Sequence, residues 1–113
     1  MTFSVTHARS GEISRIQVTG ELDMATAPEL NALIDERIEA GETRLLVDLR
    51  GLEFCDSTGL AAFVRGENMA AARGGWLRLT GANGRVSRVL TVSGLEQVLR
   101  YEPAADPAGL TER

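Results

Sequence analysis

The stretch Phe54-Cys55-Asp56-Ser57-Thr58-Gly59-Leu60 holds the residues of this 113-residue chain best placed to do chemistry. It follows an apolar run (Leu45, Leu46, Val47, Leu49) and opens a helical pattern through Leu60, Phe63 and Val64. That arrangement reads as a strand-to-helix turn, where the first N–H groups of the helix have no partner within it. Short hydroxyl and carboxylate side chains cap such ends, and the partial positive charge there accommodates an anion. A serine at this place is positioned to carry a phosphate. Capping alone is the simpler role, and these residues by themselves do not choose between the two.

Other chemistries fit less well. A serine hydrolase needs a base, and the only histidine, His7, falls on an expected edge strand. Ser57 also lacks the Gly-x-Ser-x-Gly elbow of such enzymes. Asp48, Glu53 and Asp56 are close in sequence but follow no metal-binding spacing. The one Gly-x-x-Gly, Gly81 to Gly84, lacks the first glycine pair of a dinucleotide loop. Asp48 at a strand end would suit the phosphoacceptor of a response-receiver domain, but the acidic pair after the first strand and the essential lysine are missing. All 12 basic residues are arginine, which also removes phosphate-loop lysines and Schiff-base chemistry. No catalysis and no cofactor are expected.

Composition sets the frame for these residues. The length suits one domain, and 43% apolar residues are ordinary for a globular chain. No apolar run approaches the roughly 20 residues of a membrane span, and no secretory signal opens the chain. One cysteine, Cys55, permits no intrachain disulfide. A cytoplasmic protein without membrane contact is expected. Residues 1–56 hold 11 acidic and 5 basic side chains, against 5 and 7 in the remainder. An acidic first half argues against direct binding of nucleic acid, and Arg65, Arg73, Arg78, Arg85 and Arg88 read as a solvated face.

The elements that must position the central stretch alternate between strand and helix. Phe3, Val5 and His7 suggest a first strand, Gly11 a turn, and Ile16 and Val18 a second strand paired as a hairpin. Thr26 and Glu29 have capping-box spacing, with Pro28 in the first turn. Leu30, Leu33, Ile34 and Ile38 then share a helical face opposite Asp35, Glu36 and Glu39, and Gly41 ends the helix. The continuous apolar run from Arg44 to Leu49 suggests a strand covered on both faces. The helix after Ser57 runs to Gly74-Gly75, Trp76 to Leu79 form a strand, Gly81 to Gly84 a turn, and Val86 to Leu90 a short helix ending near Gly94. Val98 to Tyr101 suggest a last strand, and residues 103–113 a flexible C-terminal tail. The alternation gives an α/β fold with a parallel part in its sheet.

Five short stretches stand in register with a known family. Gly20-Glu21-Leu22-Asp23, Thr26-Ala27-Pro28, Val47-Asp48-Leu49, Asp56-Ser57-Thr58-Gly59-Leu60 and Ser93-Gly94-Leu95 resemble, in order, the landmarks of bacterial anti-sigma factor antagonists, single-domain members of the STAS family. The resemblance covers about residues 2–102. It implies the STAS fold, a mixed β-sheet of four to five strands with helices packed against it, in a domain spanning residues 1–102. It also implies a switchable binding protein. In that family the unphosphorylated antagonist binds an anti-sigma factor that is also a serine/threonine kinase, and so frees the sigma factor. The kinase phosphorylates the serine after the aspartate and the antagonist is released; a metal-dependent, PP2C-type serine phosphatase removes the phosphate. By position, the resemblance makes Ser57 the phosphoacceptor. It places Asp23, Asp56, Ser57, Thr58, Gly59 and Leu60 on the partner-binding face. Cys55 stands where a larger apolar residue is common, and Ala61 where glycine is frequent. An alternative is a constitutive STAS interaction or ligand-binding module that phosphorylation does not regulate. In either case Ser57 could cap its helix as well.

Overall fold

The chain opens with one antiparallel hairpin and then adds its later strands in parallel, each preceded by a helix or a tight turn. The computed structural model describes residues 3–95 and 100–102. Two strands, β1 (Phe3–Ser10) and β2 (Ile13–Leu22), form the expected hairpin around Gly11, whose φ of +64° suits a tight reversal. Helix α1 (Ala27–Glu39) leads to β3 (Arg44–Asp48) and β4 (Leu52–Cys55). Helix α2 (Ser57–Ala71) leads to β5 (Trp76–Thr80), and α3 (Gly84–Ser93) precedes β6 (Arg100–Glu102). The tail from Pro103 onward lies outside the described residues.

The sheet runs β1-β2-β3-β5-β6, with only the β1–β2 pair antiparallel. Strand β4 also pairs with β2, but further along it. Ser14 to Gln17 of β2 face β3, and Gly20 to Leu22 face β4. Six segments thus fill five positions across a mixed sheet. The sequence pattern did not show β4. It is four residues long and follows directly on the turn Leu49-Arg50-Gly51, where Leu52 N–H donates to Leu49 O at 3.0 Å and Gly20 N–H to Gly51 O at 3.0 Å.

The core lies between one face of the sheet and helices α1 and α2. Ile16, Val18 and Leu22 of β2, Leu45 and Val47 of β3, and Leu77 and Leu79 of β5 are buried together with Leu30, Ile34 and Ile38 of α1 and Phe63 of α2. Burying one such side chain is worth roughly 1.5–3 kcal/mol, so this face sets the architecture. Leu33 is only partly buried at its margin. The expectation that β3 is covered on both faces needs correction: Leu46, pointing away from the helices, is half-buried and Arg44 is exposed. At the other end of the sheet the buried Ser14 hydroxyl donates to Glu42 Oε1 at 2.7 Å, and Arg37 reaches the same carboxylate at 3.1 Å. The serine hydrogen bond, and the Arg37 and Arg9 charges, hold the Glu42 carboxyl below its usual range against a smaller cost of burial.

Candidate functional site

The site is built where β2 and β4 end side by side. Leu22 pairs with Cys55, and Asp56 N–H donates to Leu22 O at 3.2 Å. The next residue on each strand is an aspartate, so Asp23 and Asp56 leave the sheet as neighbours. Asp56 has extended backbone (φ −100°, ψ −172°) and caps α2: its Oδ1 accepts from Gly59 N–H at 3.0 Å, while its carbonyl accepts from Leu60 N–H at 3.0 Å. The capping role is therefore held by Asp56 and not by Ser57, which is the first helical residue. Ser57 and Thr58 are both exposed.

Gly59 is buried where α2 meets the sheet. A Cβ there would stand 2.8 Å from Leu22 Cγ and 2.9 Å from Cys55 Sγ. The missing side chain lets the helix start close against the two strand ends. Cys55 is buried, and desolvation, aided by the nearby Asp56 charge, pushes its thiol up to about 12. A thiol held neutral in this way is no nucleophile; it is a small apolar filler under the helix.

The loop after β2 is shaped by Asp23. Its Oδ1 accepts from Ala25 N–H at 2.9 Å and Thr26 N–H at 3.2 Å, and its carbonyl accepts from Ala27 N–H at 2.8 Å. Thr26 stands at the N-cap of α1 without a side-chain cap. Its hydroxyl instead donates to Glu21 O at 2.8 Å and accepts from Asp23 N–H at 2.9 Å. The expected Thr26–Glu29 capping box does not form, because the threonine hydroxyl ties the loop back to the end of β2.

Of the six positions expected to face a partner, Ser57 and Thr58 are open to solvent. Asp23, Asp56 and Leu60 are partly covered, Leu60 being packed on the core. Gly59 is buried and supports the site from beneath. Asp48, considered as a phosphoacceptor or metal ligand, is otherwise engaged. Its side chain is 3% exposed, and Arg50 Nη2 donates to Oδ2 at 2.6 Å, with Arg15 Nη1 at 3.6 Å. Burial alone would raise the Asp48 carboxyl, but the Arg50 hydrogen bonds and the Arg50 and Arg15 charges outweigh it and bring the carboxyl below its usual range. Among the described residues no group of three or more His, Cys, Asp or Glu side chains could hold a metal ion, and no helix is long and apolar enough to cross a membrane.

Two exposed apolar residues at the same edge were not picked out by sequence pattern. Met24 is 74% exposed in the Asp23 loop, and Phe54 is 45% exposed on β4, paired with Glu21. Their signal was present: a methionine alone in a polar loop, and a phenylalanine just before the aspartate-serine pair.

Residues 5–101 match the family model described as "Mlab, STAS domain". The chain belongs to the STAS-domain family. This STAS domain is 31% identical over 85 residues to the anti-sigma-B factor antagonist of Bacillus subtilis, covering 75% of this chain and 77% of that one. It is 26% identical over 106 residues to the anti-sigma-B factor antagonist of Staphylococcus aureus, covering 94% and 98%. Its fold is similar to that of the anti-sigma factor antagonist SpoIIAA, a Bacillus cell fate determinant. The TM-score is 0.79 to the unphosphorylated form, at 23% identity and covering 95% of this chain and 91% of that one. To the phosphorylated form it is 0.72, at 23% identity and covering 95% of each.

Proposed function

We propose that this STAS domain is an anti-sigma factor antagonist, switched by phosphorylation of Ser57. The unphosphorylated form binds an anti-sigma factor that is also a serine/threonine kinase and so frees the sigma factor. The kinase transfers the γ-phosphoryl group of ATP to Ser57 Oγ, with loss of the hydroxyl proton and release of ADP, and the complex comes apart. A serine phosphatase of the PP2C type hydrolyses the phosphoester and resets the domain. The observation that carries this reading is the exposure of Ser57 at the first position of α2, outside a cap that Asp56 already makes. The similarity to named anti-sigma factor antagonists supports the partner.

The switch follows from where the charge is placed. A phosphate adds about −1.5 to −2 charges and three acceptor oxygens. The helix N-terminus returns roughly 0.3–1 kcal/mol, so the domain keeps its fold. In a closed interface the same phosphate must lose its water beside Asp56, at a cost of several kcal/mol. About 2.7 kcal/mol is a hundredfold in affinity, so a loss of at least about that size is expected.

The test is to incubate the domain with the host's anti-sigma kinases and ATP and to map the phosphate. One phosphate on Ser57, with Ser57→Ala still binding the kinase but accepting none, supports the proposal. Phosphate on Thr58, Ser87 or Ser93, or binding without any phosphorylation, sinks the switch; the latter outcome is that of a constitutive interaction module.

A further inference from the structure

We infer that holding the partner and switching it fall to different side chains at this edge. Met24 and Phe54 are the apolar anchors of the anti-sigma kinase, while Ser57 governs release; the inference rests on the function proposed above. Among the described residues the exposed large hydrophobic side chains are Ile13, Met24, Phe54 and Val92. Two of these four stand on the very segments that carry Asp23 and Asp56-Ser57. The Leu22–Cys55 pair fixes how close they are. With at most 3.8 Å between successive Cα atoms and about 5 Å across the strand pair, Met24 lies within about 20 Å of Ser57, and Phe54 within about 12 Å. A partner footprint of about 800 Å² is roughly 30 Å across. A footprint of that size that contains Ser57 has room for both side chains.

The polar groups at the edge cannot supply the affinity themselves. Glu21, Asp23, Glu53 and Asp56 all lie within two residues of the Leu22–Cys55 pair, and none takes part in an ion pair among the described residues. Glu53 is exposed and Glu21, Asp23 and Asp56 are partly covered, the two aspartates already accepting from backbone N–H groups, so these charges steer and orient a partner more than they hold it. Apolar side chains that a pocket can close over carry most of the binding energy in interfaces, with charges at the rim. The edge thus fits a partner with an apolar pocket bordered by arginine or lysine.

The test uses the full chain and the anti-sigma kinase from the same genome that binds it. Affinity and phosphorylation kinetics are measured for Met24→Ala, Phe54→Ala and the double variant. Each single variant should weaken binding and raise KM at least about tenfold with kcat at saturation unchanged; Met24→Ala, at a side chain 74% exposed, should also keep the wild-type melting temperature, whereas Phe54→Ala, at one 45% exposed, gives up some packing. Phe54→Leu and Met24→Leu, which keep apolar bulk, should restore most of the binding. Glu21→Gln with Glu53→Gln should slow association and flatten its salt dependence. Wild-type Kd and KM in the double alanine variant would overturn the inference, as would a fall in kcat at unchanged KM. No binding of any such kinase by the wild-type chain would overturn the proposed function, and the inference with it.

Discussion

Replacing Gly59 with alanine should lower the stability of the domain by about 1–2 kcal/mol, although the change adds one methyl group to a helix. The new Cβ would stand 2.8 Å from the branch carbon of Leu22, which is 0% exposed, and 2.9 Å from the buried Cys55 sulfur. Neither atom is the loose end of a flexible chain, so the helix start or the strand ends must move. Overpacking of this kind costs about 1–3 kcal/mol. Alanine recovers at most about 1 kcal/mol of helix propensity, and less in the first turn. At about 4–6 °C per kcal/mol for a domain of this size, the melting temperature should fall by about 4–12 °C. Thermal unfolding followed by circular dichroism reads this directly. Cys55→Ala in the same chain removes the sulfur and should recover part of the loss, a coupling of at least about 0.5 kcal/mol between two touching sites. A Gly59→Ala domain that melts at the wild-type temperature would show that α2 does not close on Leu22 and Cys55, and the placement of Ser57 would lose its support.

Other substitutions test different parts of the structure. Ile34→Ala should cost roughly 2–5 kcal/mol in chemical denaturation, and Leu33→Ala clearly less, since Ile34 is 0% exposed and Leu33 sits at the core margin. Asp48 and Glu42 titrate below their ordinary values of 3.8 and 4.5 in the folded state. Each therefore contributes stability that is fully present above its ordinary value and is lost as pH falls through the folded one. Unfolding free energies measured below about pH 4.5 should decline with acid, and Asp48→Asn should make the decline shallower; an unchanged slope would rule out a role for the Arg50–Asp48–Arg15 cluster. Ser57→Asp should weaken kinase binding less than phosphate does, because it brings one charge against nearly two. Its loss should persist at high salt, which screens exposed repulsion but not desolvation. Full recovery of affinity in salt would contradict a dry interface.

What the sequence disclosed depended on whether the signal was local. Helix α1 was legible because Leu30, Ile34 and Ile38 repeat at helical spacing and all three are buried. The glycines with positive φ at 11, 41 and 94 marked a turn and two helix ends for the same reason. Strand β4 was hidden because its four residues gain their order from pairing with β2, some thirty residues away in sequence. The Thr26 capping box failed to form because Glu21 O and Asp23 N compete for the same hydroxyl, a contact that local spacing does not reveal. The aspartate-serine pair was readable as a helix start, but only the structure assigns the cap to Asp56 and leaves Ser57 outside it. The Arg15–Asp48–Arg50 cluster has no local signature, because two strands must pair before Arg15 meets Asp48.

The switch itself is tested most directly by titrating the anti-sigma kinase with two preparations of the same chain, one unmodified and one carrying a single phosphate on Ser57. Affinity should fall at least about a hundredfold in the phosphorylated form while its melting temperature stays near that of the unmodified domain, because the helix N-terminus accommodates the anion that the interface does not. Equal affinity of the two forms, or a phosphorylated domain that has lost its fold, would contradict release by charge placed at Ser57.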